Sequence, residues 1–360
     1  MENVLLQPLS FARGRPMANR FMLAPLTNWQ SHEDGTLSGD ELHWLTMRAK
    51  GGFGLVMTCA ANVQWPGKGF PGQLGIWSDK HLPGLSRLAK AIGAEGSLSS
   101  VQLQHSGLRA SRALTAEVPR APWDDAETGA VALSTAEVEQ VIEDFILAGL
   151  RAQEAGFDGV ELHAAHGYLL CQFLDAERNT RKDQFGGSFE NRTRVLFAVT
   201  AGLRERARPE FQIGVRISPE RYGVRVDEAR ELARQLMAGG LIDYLDVSMW
   251  DVFKEAYEEA YRDRPLLAQF TDLPRGNTRL GAAGKLTTAA AAQAAMAAGL
   301  DYVLIGRGGI LHHDFPRKVA GNLKFEPAAL PVTRAYLSAE GLGPAFIDYM
   351  QTNWKDFVAG

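Results

Sequence analysis

Gly159-Val160-Glu161-Leu162-His163-Ala164-Ala165-His166-Gly167-Tyr168 decides how the rest of the chain is read. Its first half has the two-residue period of a strand: Val160 and Leu162 point one way, Gly159, Glu161 and His163 the other. Polar groups at successive positions on one face suit a site better than a plain core. A second imidazole and a phenol follow, His166 and Tyr168. Two His donors beside a Tyr hydroxyl can hold a carbonyl oxygen and supply a proton, because a phenol of pKa about 10 stays protonated near neutrality. The same His-x-x-His spacing also suits half of a metal site, or two structural imidazoles.

Outward from this stretch, eight apolar runs alternate with helical patterns. The runs are 21–25, 55–60, 99–103, 157–163, 213–218, 244–248, 280–283 and 302–307. Helices are expected over 39–50, 82–94, from the capping-box pattern Ser134-Thr135-Ala136-Glu137 to Gly156, then 191–207, 227–238 and 288–298. The connection after the sixth run has no clear pattern. Eight alternations without a linker predict an α/β fold, a single (β/α)8 TIM barrel over 1–325. Residues 326–360 are expected as a C-terminal tail packed on its outside, within the same domain.

Inward parity adds detail. Ser100, Gln102 and Gln104 share a face with Gly159, Glu161 and His163, with Gly214, Arg216 and Ser218, and with Asp246 and Ser248. Barrel interiors are mainly branched and apolar, so this lining predicts a site near the C-terminal mouth. A buried Glu161–Arg216 pair is the structural reading, and it can coexist with function. The last two strands end in Gly281-Ala282-Ala283-Gly284-Lys285 and Gly306-Arg307-Gly308-Gly309. Glycine there exposes backbone N–H groups and Arg307 adds a bidentate contact, which together suit a phosphate. Gly67-Lys68-Gly69-Phe70-Pro71-Gly72 matches G-x-G-x-x-G but follows no strand and carries Pro66 and Pro71 where a strand-to-helix turn belongs. It reads as a mobile loop.

Bulk properties exclude several classes. The composition, 46% hydrophobic and 22% charged, is that of an ordinary globule. A net charge of −4 gives no reason to expect nucleic acid or an acidic membrane as partner. Cys59 and Cys171 cannot build a disulfide framework or a four-thiolate metal site. No signal-peptide pattern and no run of about 18 apolar residues occurs, so a cytoplasmic location is expected.

Together these pieces resemble the old yellow enzyme family of FMN-dependent ene-reductases over roughly residues 3–325. The most specific match is GVELHAAHGYLLCQFLDAERNTRKDQFGGSFENRTR at 159–194. NRFMLAPLT at 19–27, VQLQHSG at 101–107, GVRIS at 214–218, LGAAGKLT at 280–287 and LIGRGGI at 304–310 support it. The resemblance implies FMN as bound cofactor and NADPH or NADH as hydride donor. It places Ala24, Pro25 and Thr27 along the flavin, Ala60 and Gln102 at its pyrimidine edge, Arg216 near N1 and O2, and Gly284, Gly306 and Arg307 on the phosphate. His163 and His166 would bind the substrate's carbonyl oxygen, Tyr168 would donate the proton, and Trp29 would line the substrate pocket. The implied substrate is a small molecule with an activated C=C bond, reduced by hydride from flavin N5, with no metal.

Departures from the family pattern are Asp175-Ala176 in place of Ser-Pro, Thr27 where Cys is the other common choice, and Trp29 where Tyr is frequent. Arg279-Leu280 puts the register of the seventh strand in question, and Arg334 in the tail is a candidate to reach a neighbour's site, self-association being open. Two other readings remain: a metal-dependent barrel hydrolase or lyase using His163, His166 and Glu161 or Asp246, and a flavin barrel whose reductase chemistry is vestigial. Two cysteines exclude the longer iron–sulfur relatives.

Overall fold

The computed structural model describes residues 3–360. Eight parallel strands close into a barrel in chain order: β1 (Phe21–Leu23), β2 (Leu55–Asn62), β3 (Leu98–Gln104), β4 (Gly159–Ala164), β5 (Gln212–Ile217), β6 (Tyr244–Ser248), β7 (Arg279–Ala283) and β8 (Tyr302–Ile305). Helices Gly39–Lys50, Leu82–Ala94, Thr135–Glu154, Phe189–Arg206, Val226–Ala238 and Ala289–Ala297 lie between them. Ser134 caps the longest as its pattern predicts, with the Glu137 side chain returning to the Ser134 N–H. Only a 3-10 turn (Glu259–Tyr261) and a four-residue helix (Ala268–Thr271) bridge β6 and β7, where the sequence shows no pattern.

Outward-facing Val101, Leu103, Val160, Leu162, Val215 and Val247 join the helix faces in one large apolar shell. A separate apolar cluster fills the barrel's N-terminal half: Met22, Leu55, Met57, Leu98, Tyr244, Tyr302 and Leu304. Leu9 and Met17, paired antiparallel, plug that end. With one end sealed by apolar side chains, the polar lining is confined to the other. Glycines make room for the two inward Tyr rings: a Cβ at Gly214 would overlap Tyr244, and one at Gly281 would overlap Tyr302. The register of β7 is set by pairing Tyr244↔Arg279 through Ser248↔Ala283, with Leu280 buried outward and Arg279 Nε donating to the Ser10 carbonyl at 2.8 Å.

On β2 the alternation breaks. Met57 pairs with Ser100 but Ala60 with Gln102, so one extra residue sits in β2. This bulge re-aims Ala60 inward, where strict alternation from Leu55 would point it at the helices.

The C-terminal segment is built rather than trailing. Helices Arg334–Ala339 and Pro344–Asn353 pack beside the barrel, Val332 pairs with Val358, and Phe346 meets Trp44 edge-on at 5.0 Å. The Gly343 N–H donates to Gln30 Oε1 at 2.8 Å, tying this segment to the loop after β1.

The loop 67–72, expected as a mobile loop, is packed against its neighbours in the structure. Lys68 is buried, its Nζ donating to the Glu33 carbonyl at 2.7 Å and to Glu33 Oε2 at 2.8 Å. A Cβ at Gly67 would strike the His105 ring, and one at Gly72 the Trp29 carbonyl. The glycines allow close packing of this loop between those after β1 and β3. They hold no dinucleotide fingerprint.

Candidate functional site

Strand register assembles the site in two rows. In the lower, Ala60 pairs with Gln102, Gln102 with Glu161, and Glu161 with Gly214. In the upper, His163 pairs with Arg216, Arg216 with Asp246, and Asp246 with Gly281. Both rows are buried. The expected Glu161–Arg216 pair does not form. Arg216 Nε lies 2.8 Å from Asp246 Oδ2, while Glu161 Oε1 accepts from Gln102 Nε2 at 2.8 Å. Arg216 sits opposite Asp246 on the adjacent strand, so the shorter reach wins.

Two carboxyls share this space with one guanidinium. Burial first, then the nearby Asp246, pushes Glu161 up to about 8, against the pull of Arg216 and the Gln102 bond. Burial raises Asp246 to about 6, with Arg216 opposing. Asp246 is therefore the charged partner of Arg216 at neutral pH, and Glu161 the protonated acid.

Above these rows stand the two imidazoles and the phenol. The His163 and His166 ring centroids are 5.0 Å apart, and His163 is 5.1 Å from the Tyr168 ring. His166 has a left-handed φ of 60°, next to Gly167 at 71°. This tight turn swings its ring off the strand axis. Its Nε2 meets Ser248 Oγ at 2.7 Å, and Ser248 Oγ also accepts from Arg216 Nη2 at 3.0 Å. Burial, then the neighbouring cations, drives His166 down to about 3, and burial and then His166 hold His163 far below the usual imidazole range. Both rings are neutral and each donates through one nitrogen. His163 Nδ1 is buried with no hydrogen-bond partner among the described residues. Burial raises the Tyr168 phenol above 10, Arg109 opposing, so it stays protonated. Tyr168 also opens the short helix Leu169–Leu174, which fixes its backbone.

Adjacent strand ends bring the other predicted residues alongside. The Ala24 N–H donates to the Ile305 carbonyl at 3.1 Å, so Ala24, Pro25 and Thr27 run beside the Gly306 turn. Gly284, at the end of β7 next to β8, has φ 153°, and a Cβ there would lie 2.6 Å from the Met249 carbonyl oxygen. Arg307 is exposed and makes no hydrogen bond or ion pair among the described residues, whereas Lys285 is held by Asp251 at 3.1 Å. These features fit FMN. Buried polar atoms without a hydrogen-bond partner among the described residues (His163 Nδ1, Glu161 Oε2) lie under the mouth, and a free guanidinium stands at the adjoining strand ends for the phosphate.

Trp29, with φ 57°, is partly buried and packs on Tyr349 of the C-terminal helix at 4.9 Å between ring centroids. Asp175 supplies its own turn, Oδ1 accepting from the Glu177 and Arg178 N–H groups. Arg334 is engaged within its own chain, on Asp348 at 2.6 Å. Ser248, expected in the inward polar lining, does join the site, whereas sequence reading missed Arg109, whose guanidinium lies over Tyr168, and Tyr222, 6.4 Å from the His166 ring. Arg109 lies five residues past the end of β3, in a loop with no pattern of its own to mark it. The metal reading needs His163 and His166 to converge with a carboxylate. Among the described residues the group that does converge is His313, Asp314 and Glu340, away from the mouth. No helix is long and apolar enough to cross a membrane among the described residues.

The sequence profile of the NADH:flavin oxidoreductase / NADH oxidase family matches residues 4–326. A Bacillus subtilis (strain 168) protein named "Probable NADH-dependent flavin oxidoreductase YqiG" is 36% identical over 314 residues, 84% of each chain. An NADPH dehydrogenase of Bacillus velezensis is 31% identical over 88% of this chain and 95% of its own. Among solved structures, the old yellow enzyme homologue from Zymomonas mobilis superposes with a TM-score of 0.80 at 27% identity, covering 94% of this chain and 98% of its own. Morphinone reductase superposes at 0.77 with 28% identity, covering 93% of each.

Proposed function

The chain belongs to the NADH:flavin oxidoreductase / NADH oxidase family, the old yellow enzyme family, as an FMN-dependent NAD(P)H oxidoreductase, and on that premise we propose that it reduces activated alkenes, α,β-unsaturated carbonyl or nitro compounds. FMN, when bound, would supply the hydride-transfer chemistry that links NAD(P)H to the alkene. The chain's own groups do the rest. His163 and His166, both neutral, donate hydrogen bonds to the substrate's carbonyl or nitro oxygen and draw electron density away from the β-carbon. Tyr168 then gives its phenolic proton to the α-carbon, and solvent restores it. Arg216 would hold the flavin near N1 and O2, where its charge would offset the negative charge of the reduced ring. Thr27 would offer a hydroxyl donor near O4 and N5, and Ala24, Pro25, Ala60 and Gln102 would line the ring. Gly284, Gly306 and Arg307 take the phosphate.

One observation carries this reading: the Tyr168 phenol ring lies 5.1 Å from the His163 ring, itself 5.0 Å from that of His166, with His163 Nδ1 buried and without a partner among the described residues. Tyr168→Phe tests it. Reoxidation of the reduced enzyme by an enone should slow at least about 100-fold, the usual worth of a general acid, while flavin reduction by NAD(P)H stays within about twofold. Unchanged reoxidation would remove Tyr168 from the mechanism.

A further inference from the structure

Glu161 lies under the mouth without touching the groups that would meet substrate. It is fully buried, Oε1 accepting from Gln102 Nε2 at 2.8 Å and Oε2 without a partner among the described residues. The side chains around it are Gln102 from β3, Arg216 from β5, Tyr244 and Asp246 from β6, and Tyr302 from β8. An amide presents a donor at one end and an acceptor at the other, and turning it over exchanges them. In the arrangement found, Glu161 Oε1 takes one Gln102 N–H and so holds the plane and position of the amide, leaving its second N–H and its carbonyl oxygen for another partner. Asp246 does the equivalent for Arg216 on the neighbouring strands, 2.8 Å from Nε.

We propose that Glu161 is a positioning residue for the flavin, holding the Gln102 amide in place through its N–H bond to Oε1 so that the rest of the amide meets the pyrimidine edge. It also governs charge. Asp246 already stands beside Arg216, so a neutral Glu161 adds no second negative charge under the site, whereas an ionised one would oppose the negative charge of the reduced ring. Reduction therefore favours the protonated acid, and burial beside Asp246 already holds that form near neutrality. The inference rests on the placement of Gln102 and Arg216 at the flavin.

FMN titration of the apoprotein, together with the flavin potential as a function of pH, tests it. Glu161→Leu should weaken FMN binding about tenfold, and Glu161→Gln, which can still accept from Gln102, should bind within about threefold of wild type. Wild-type binding by Glu161→Leu would overturn the role of Glu161. If Gln102→Leu is equally silent, the placement of the flavin edge falls with it. If only Gln102→Leu weakens binding, that placement stands and the role of Glu161 alone fails. Should Glu161→Leu not fold, the potentials decide: wild type should show one additional proton taken up on reduction toward pH 8, and Glu161→Gln should not. Identical pH profiles would overturn the proposal.

Discussion

The Arg109 guanidinium lies 4.9 Å over the ring of Tyr168. Its Nη1 also donates to the His166 carbonyl oxygen at 2.8 Å, so one side chain ties the proton donor to the imidazole turn. Its charge opposes the rise in phenol pKa that burial imposes. Arg109→Met should make Tyr168 a weaker acid. Alkene-driven reoxidation should slow about three- to tenfold in stopped flow, with reduction by NAD(P)H unchanged. Equal slowing of both half-reactions would point to a disturbed flavin instead.

Ser248 is the hinge between Arg216 and His166. Ser248→Ala would leave a buried guanidinium N–H and an imidazole nitrogen without their shared partner, a cost of about 1–3 kcal/mol. The His166 ring would lose its fixed direction. The expected result is a KM for the alkene raised about tenfold with little change in thermal midpoint. An unaltered KM would show that His166 is oriented by its backbone turn alone.

Gly72 has φ 57°, and a Cβ there would strike the Trp29 carbonyl. Gly72→Ala should therefore cost at least about 1–3 kcal/mol, read from a urea midpoint, and displace the Trp29 loop. Activity toward bulky alkenes should change more than activity toward small ones if Trp29 lines the pocket. A neutral substitution would mean that the loop yields without strain.

Stability should depend on pH with opposite signs on the two sides of neutrality. His105 and His166, buried, are held down near 3, so between about 3 and 6.5 the unfolded chain binds more protons than the native one. Their contribution is present above 6.5 and lost as pH falls toward 3. Glu161 behaves oppositely: raised to about 8, it favours the native state below its ordinary value of 4.5 and loses that contribution as pH rises through 8. Urea midpoints should fall steeply on the acid side and gently between pH 6.5 and 8. Glu161→Gln should remove the gentle alkaline decline. A wild-type curve flat from pH 6.5 to 8 would contradict it.

Much of the site was readable from strand parity alone. Gln102, Glu161, His163, Arg216 and Asp246 occupy alternate positions on their strands, and a two-residue period admits only one inward set once one face is apolar. Tyr168 and His166 were readable because they follow a strand end directly. The partner of Arg216 was not. Glu161 and Asp246 lie on either side of it, and only the stagger between neighbouring strands decides that Asp246 is within 2.8 Å. The anchored loop at 67–72 was equally hidden, because its packing partners, Glu33, His105 and Trp29, lie in other loops.

The sequence by itself determined the barrel, its eight strands in order, and which residues face inward, because periods of 2 and 3.6 are local properties of the chain. Only the tertiary structure decided the bulge that turns Ala60 inward, the pairing of Glu161 with Gln102 and of Arg216 with Asp246, and the seat of Arg109 over Tyr168. These depend on register and loop packing between segments far apart in the chain. Closing the barrel fixes such distances, and no local pattern encodes them.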